Sequence, residues 1–293
     1  MAGVAAELDR WEGVDVAVGQ IERRLGELRA AAEEGGMIRT SVLTHLAWVP
    51  PEWEQQALDT LAGMAERHPS RTIVLLPIPE ADEDGIDASL SLRAFALPDA
   101  GRSIATEVIE LRLRGRRSEA PASIVAPLLV ADLPVFLRWR GLPPFEERPC
   151  EELVDVVDRL IVDSTEWPDL PDSYRGLTAI FERAAVSDIA WARTSRWRRQ
   201  LASLWPDIGD VRVIRVRGTA AQAHLIAGWL RSRLDREISL EHEQADRLLG
   251  VDIDGRPAPF PPGDPPQPSD VLSDELERFT RDPVYEAAVA ATV

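Results

Sequence analysis

Histidine, cysteine and lysine supply most of the nucleophiles, metal ligands and Schiff-base amines of enzymes, and this chain is poor in all three. Four histidines, His45, His68, His224 and His242, are scattered over 293 residues; Cys150 is the one cysteine, and there is no lysine. A zinc cage needs several His or Cys side chains at close spacing, and none of these histidines has another His or Cys at such a spacing. His242-Glu243 begins like a zinc-protease helix, but Asp246 stands where the second imidazole belongs. Two stretches, around Asp82, Asp84 and Gly85 and around Asp252, Asp254 and Gly255, have the middle of a calcium loop, yet Ser91 and Pro261 replace the closing bidentate glutamate. Both read as acidic turns. Cys150 sits where a helix start would lower its thiol pKa, but Glu151 and Glu152 beside it oppose the thiolate. Without lysine there is no phosphate-loop amine, and neither a G-x-G-x-x-G after a strand nor a G-x-S-x-G elbow occurs. The residues therefore name no catalytic group, no cofactor site and no metal site.

Arginine and tryptophan are left. Between Arg193 and Arg233 lie nine arginines against Asp207 and Asp210, whereas residues 235–293 carry fourteen acids against five arginines. Guanidinium forks match phosphate and carboxylate, and aromatic faces such as Trp197 add stacking. This basic island admits three readings: pairing with the acidic C-terminal region or an acidic partner, a solvated face, or a phosphate site. Tryptophan and arginine also dominate protein interface hot spots, although a tryptophan is equally at home in a core.

The elements that must position these residues belong to a folded chain, with 45% hydrophobic and 28% charged residues. A net charge of -17 disfavours a nucleic-acid backbone as partner. The single cysteine suits a reducing compartment, and with no basic, apolar leader at the start the expected location is the cytoplasm. The longest apolar stretch, 120–137, is interrupted by Pro121, Pro127, Asp132 and Pro134, so no membrane span is expected. Helical spacing of Val18, Ile21, Leu25 and Leu28 predicts a helix over 14–32, followed by a strand over 37–49. Pro50-Pro51 opens a helix to about residue 67, and 71–76 completes a strand, helix, strand unit with parallel pairing. Strands over 89–97 and 104–113, a helix over 118–130, a strand over 133–139, a helix-to-strand passage over 150–160 and a strand over 159–163 follow. The second part carries helices over 174–184, 194–205 and 220–234 and a strand over 211–216. The pattern predicts an α/β fold of layered mixed sheets flanked by helices in two lobes. These are an N-terminal domain over 1–163 and a C-terminal α/β or α+β domain over 164–293, with an extended Pro-rich loop at 256–268 and a helical tail at 273–290.

Three runs resemble a known family: APLLVADLPVFLRWRG from Ala126 to Gly141, DIAWARTSRWRRQL from Asp188 to Leu201, and AGWLRSRL from Ala227 to Leu234. Shorter stretches at 39–43 and 281–285 extend the likeness over essentially the full length. The chain resembles the glucose-6-phosphate dehydrogenase assembly protein OpcA family of actinobacteria and cyanobacteria. That resemblance implies a non-catalytic assembly protein and allosteric activator. It would bind glucose-6-phosphate dehydrogenase and promote its oligomerisation or activity in the oxidative pentose phosphate pathway, with no cofactor of its own. The family brings no catalytic residues, so the motif positions Trp139, Arg140, Trp191, Arg193, Arg196, Trp197, Arg198 and Arg199 stand as candidate partner or anion contacts. The alternative is a sugar-phosphate-binding sensor with an Arg-lined anion pocket.

Overall fold

The computed structural model describes residues 6–35, 38–39, 41–64, 70–97, 102–264 and 268–293. His68 and part of the 256–268 loop lie outside them. The chain falls into two compact units, Met1–Leu160 and Ile161–Val293.

The first unit is built on a mixed sheet. In chain order it contains β1 (Ala6–Gly13), α1 (Val18–Glu34), β2 (Ile38–Arg39), β3 (Leu43–Trp48), α2 (Glu54–Met64), β4 (Ser70–Ile78), β5 (Gly85–Leu97), β6 (Arg102–Arg114), α3 (Pro121–Val125), β7 (Val135–Trp139) and α4 (Arg148–Val154). β8 (Arg159–Val162) then carries the chain into the second unit. The strand order is β1-β5-β6-β4-β3-β7, with β2 on β6. The β1, β5 and β6 pairings are antiparallel, whereas β6-β4, β4-β3 and β3-β7 are parallel. The parallel strands read as runs of Leu, Ile and Val because both their faces are covered; Leu46, Ile73, Val74, Leu75, Ile109 and Leu111 are fully buried.

Helix α1 lays Ile21, Leu25, Leu28 and Ala32 on this core, at the spacing of one helical face. Arg29 on its flank reaches Glu107 of β6, whose other oxygen accepts from Arg71 Nε of β4 at 2.6 Å. Arg71 Nη1 goes on to the Leu128 carbonyl at 2.6 Å. Burial alone would push the Glu107 carboxyl up, but the hydrogen bonds and charges of the two arginines hold it below the usual carboxylate range.

In the first unit two expectations change in detail, and one strand had none. The strand expected over 37–49 is split into β2 and β3. The helix expected over 118–130 contracts to α3 followed by a 3-10 turn at Ala126–Leu128, since Pro127 has no N–H to continue the ladder. β1 was not anticipated: apolar residues stand at 6, 8 and 11, and a register shift between Glu7 and Asp9 breaks the alternation.

The second unit contains α5 (Arg175–Ile180), β9 (Ala185–Asp188), α6 (Ile189–Arg193), α7 (Ser195–Ala202), β10 (Val213–Gly218), α8 (Ala220–Leu234), β11 (Ser239–Gln244), β12 (Gly250–Ile253), β13 (Arg256–Pro257), α9 (Pro268–Leu276) and α10 (Pro283–Ala290). A smaller sheet has the order β11-β10-β12-β13. Helix α8 starts with a capping box in which Thr219 and Gln222 satisfy each other's backbone N–H. It is buried nearly all round, and α10 lies against it where Gly228 offers no side chain. The single helical tail expected over 273–290 is two helices, α9 and α10. They are divided where Asp282 caps α10 by accepting from the N–H groups of Val284 and Tyr285, each at 3.0 Å.

Candidate functional site

Strands β3 and β7 end in similar sequence: Leu46-Ala47-Trp48 before Pro50-Pro51, and Leu137-Arg138-Trp139 before Pro143-Pro144. The two strands are parallel and in register, so Trp48 is paired with Trp139. Adjacent strands lie about 4.8 Å apart, which brings the two indoles into a stack with centroids 4.9 Å apart and planes 18° apart. The Arg140 N–H, donating to the Trp48 carbonyl at 3.0 Å, fixes how the chain leaves β7. Gly141 then adopts φ +75°, a left-handed conformation that glycine enters without strain.

These strand ends border a cleft of about 620 Å³ lined by the Trp48–Trp139 pair, prolines 50, 51, 77, 79, 144 and 149, and Leu142. The cleft lies at a topological switch point: from β3 the chain crosses to β4 on one side, and returns later to β7 on the other. Open α/β sheets bind ligands at such a crevice, outside the carboxyl ends of the strands. The exposed side chains of Glu52, Glu119 and Glu147 stand around it. Arg140, in the same lining, is turned inward. It is 6% exposed, its guanidinium lies 4.5 Å from the centre of the Trp53 ring, and its Nη2 donates to Gln56 Oε1 at 2.5 Å. Of the eight candidate contacts, then, Trp139 and Arg140 line this cleft, but from within the core, at 2% and 6% exposed. Sequence reasoning missed Trp48, Trp53 and the proline rim; the repeated W-then-P-P strand ending was the signal for them.

The other six candidates are in the second unit, and most are engaged internally. Trp191 is buried and donates its Nε1–H to Asp282 at 2.9 Å. The Arg198 guanidinium stacks on the Trp191 ring, 3.3 Å from its centre, and burial brings the Arg198 pKa down to about 10. Arg193 pairs with Asp163 at 3.0 Å. Trp197 is buried with its ring edge-on to Phe260 at 5.3 Å, while the neighbouring Arg196 donates to the carbonyls of Pro261, Pro262 and Gly263. Arg199 is exposed, as is Trp205 at 67%.

Beneath these residues runs a buried polar network. Asp188 accepts from Ser164 Oγ at 2.6 Å, from the N–H groups of Ser164 and Ala190 at 3.1 and 2.8 Å, and from the Tyr285 hydroxyl at 3.3 Å. Tyr174 donates its hydroxyl to Ser164 Oγ at 2.9 Å. Burial first, and the charge of Asp163 second, push the Asp188 carboxyl up to about 6 against the pull of these donors. A serine on a carboxylate invites comparison with a nucleophile and its base, but Ser164, Tyr174, Asp188 and Tyr285 are all closed off from solvent. Their role here is to join β9, α10 and the turn after β8 within the unit.

The residues considered for metal chemistry have other work. Asp84 accepts from the backbone N–H and Nε of Arg116, which hold its carboxyl low, and Asp254 accepts from the N–H groups of Arg212 and Val213. Cys150 is buried. Among the described residues, no three His, Cys, Asp or Glu side chains are grouped to hold a metal ion.

Two family models match the chain in succession. One, described as the N-terminal domain of the glucose-6-phosphate dehydrogenase subunit, spans residues 62–179; the other, described as the C-terminal domain of the same subunit, spans residues 184–260. The relatives include proteins named OxPP cycle protein OpcA. That of Nostoc punctiforme (strain ATCC 29133 / PCC 73102) is 28% identical over 195 residues, 62% of this chain and 42% of the relative. That of Synechocystis sp. (strain ATCC 27184 / PCC 6803 / Kazusa) is 26% identical over 215 residues, 70% and 44% of the two chains. That of Synechococcus elongatus (strain ATCC 33912 / PCC 7942 / FACHB-805) is 25% identical over 228 residues, 69% and 50%. The chain thus spans about half the length of the curated relatives it matches. No solved structure matches it. With both domain models aligned in order, and OpcA proteins similar over most of the same length, the chain belongs to the OpcA family.

Proposed function

We propose that this chain binds glucose-6-phosphate dehydrogenase in the cytoplasm and promotes its assembly or activity in the oxidative pentose phosphate pathway, acting by contact rather than by catalysis. The observation that carries the reading is the ordered match to the two domain models described as parts of a glucose-6-phosphate dehydrogenase subunit. The site geometry is compatible with it. A cleft whose rim of prolines and Leu142 lies over the buried Trp48–Trp139 pair offers rigid apolar surface that a protein contact can cover.

The alternative, a sugar-phosphate sensor, has less support. Its anion pocket requires arginines that converge on open space, whereas Arg193, Arg196, Arg198, Arg215 and Arg231 are committed to a carboxylate, backbone carbonyls or an indole face.

The test is steady-state kinetics of NADP reduction by the dehydrogenase of the same organism, measured against glucose 6-phosphate with increasing amounts of this chain. The expected result is a saturable gain in turnover or in apparent substrate affinity, with no turnover by the chain alone. Superimposable curves at every ratio would overturn the proposal.

A further inference from the structure

We infer that the Trp48–Trp139 cleft is the docking site for a segment of the protein partner that presents an arginine or lysine beside an apolar side chain; this deepens the function proposed above and rests on it. A phosphate at a switch point is held by backbone N–H groups of a glycine-rich turn and by the start of the next helix. Here the turn after β3 runs through Pro50 and Pro51, which have no N–H, and Glu52 and Glu54 occupy the start of the helical segment that follows. After β7 the chain again runs through two prolines, Pro143 and Pro144. An anionic group entering the crevice would find few donors and would face Glu52, Glu119 and Glu147.

The same features favour a cationic, apolar guest. The prolines and Leu142 give a rigid apolar surface that loses little conformational entropy on binding, over a floor of stacked indoles that are themselves buried, Trp48 at 6% and Trp139 at 2% exposed. A guanidinium or ammonium reaching the rim would be drawn by three exposed carboxylates, while its aliphatic stem or an apolar neighbour covers the prolines and Leu142. Arg140 does not neutralise this rim, because its guanidinium is packed over Trp53 and bonded to Gln56. Arg116, Arg117 and Arg148 border Glu119 on its other side, and although Arg116 pairs with Asp84 and Arg148 with Glu152, the rim's charge rests mainly on Glu52 and Glu147. The volume, about 620 Å³, accommodates one or two side chains rather than a folded element. The partner's segment is thus selected by charge complementarity at the rim and by apolar contact on the floor.

The experiment compares affinities for the dehydrogenase using the full chain. Glu119→Arg combined with Glu147→Arg, and separately Leu142→Asp, are expected to weaken binding at least tenfold. Glu33→Arg with Glu34→Arg, on the exposed face of α1, should change it less than twofold. Carboxyl footprinting of the wild-type complex is a second measurement that depends on no variant folding. The chain has no lysine to capture activated carboxylates in side-chain cross-links, so labelling with carbodiimide and glycine ethyl ester reads each carboxylate directly. Glu52, Glu119 and Glu147 should be protected by the dehydrogenase, while Glu33 and Glu34 label as in the free chain. Wild-type affinity in both cleft variants, or unchanged labelling of all three glutamates in a complex that does form, would overturn the docking site and leave the proposed function standing. Failure of the wild-type chain to bind the dehydrogenase would overturn both.

Discussion

Two buried carboxylates respond to pH in opposite directions, and each has its cause in its neighbours. Glu107 is held low by Arg29 and Arg71, so its contribution to stability is present above its unfolded value near 4.5 and is lost as pH falls through the lower folded value. Replacing it by alanine leaves Arg71 buried against the Leu128 carbonyl without its principal charge. Breaking a buried pair in this way costs about 3–5 kcal/mol, so Glu107→Ala should lower the unfolding free energy of the first unit by that amount, read as a lower denaturant midpoint. An unshifted midpoint would mean that the triad contributes nothing net. Asp188 behaves oppositely. Its pKa rises from 3.8 to about 6 on folding, so in that window the native state holds more protons than the unfolded chain, and stability falls as pH rises from about 4 to 6. A shift of this size corresponds to roughly 3 kcal/mol. Asp188→Asn should flatten the decline between pH 4 and 7, measured as unfolding free energy at a series of pH values. An equal slope in wild type and variant would show that the carboxylate is solvated or compensated.

At the scale of elements, glycine and proline set the contacts that hydrophobic pattern alone does not. A side chain at Gly228 would run into the Ala288 carbonyl and the Thr292 methyl of the C-terminal segment. Gly228→Val should therefore destabilise the α8–α10 contact by about 1–3 kcal/mol and raise amide exchange in α10; native-like exchange there would contradict the packing described. The same scale shows what was legible in the sequence. β3 was readable because its apolar run ends at Pro50-Pro51, β4 because 71–76 is rich in β-branched and aliphatic residues, and α1 because Ile21, Leu25 and Leu28 keep helical period. β11 was not, because Ser239–Gln244 is an almost wholly exposed strand with no apolar alternation to detect. The cleft was half legible. Trp139 and Arg140 stood out as a motif, but their relation to Trp48 depends on the in-register pairing of strands about ninety residues apart in sequence. In the second unit, the arginine island was visible as a charge excess, and two of its partners, Asp163 and Glu241, are carboxylates; the backbone carbonyls that take Arg196 and Arg231 and the indole under Arg198 are partners that no charge count reveals.

For the whole molecule, the formal charge of -17 makes the surface acidic on balance, although Arg199, Arg212, Arg215 and Arg233 of the basic island are exposed. Such a surface is suited to a partner that presents basic segments, and its association should slow as ionic strength rises. The central claim, that the chain works by binding glucose-6-phosphate dehydrogenase and changing its assembly or activity, is tested most directly by light scattering coupled to size exclusion. The dehydrogenase of the same organism is measured alone, this chain alone, and the two together at several ratios. The account predicts a new species containing both chains at a fixed stoichiometry, with the kinetic gain saturating at the same ratio. Two unchanged peaks with the masses of the separate proteins at every ratio would contradict it.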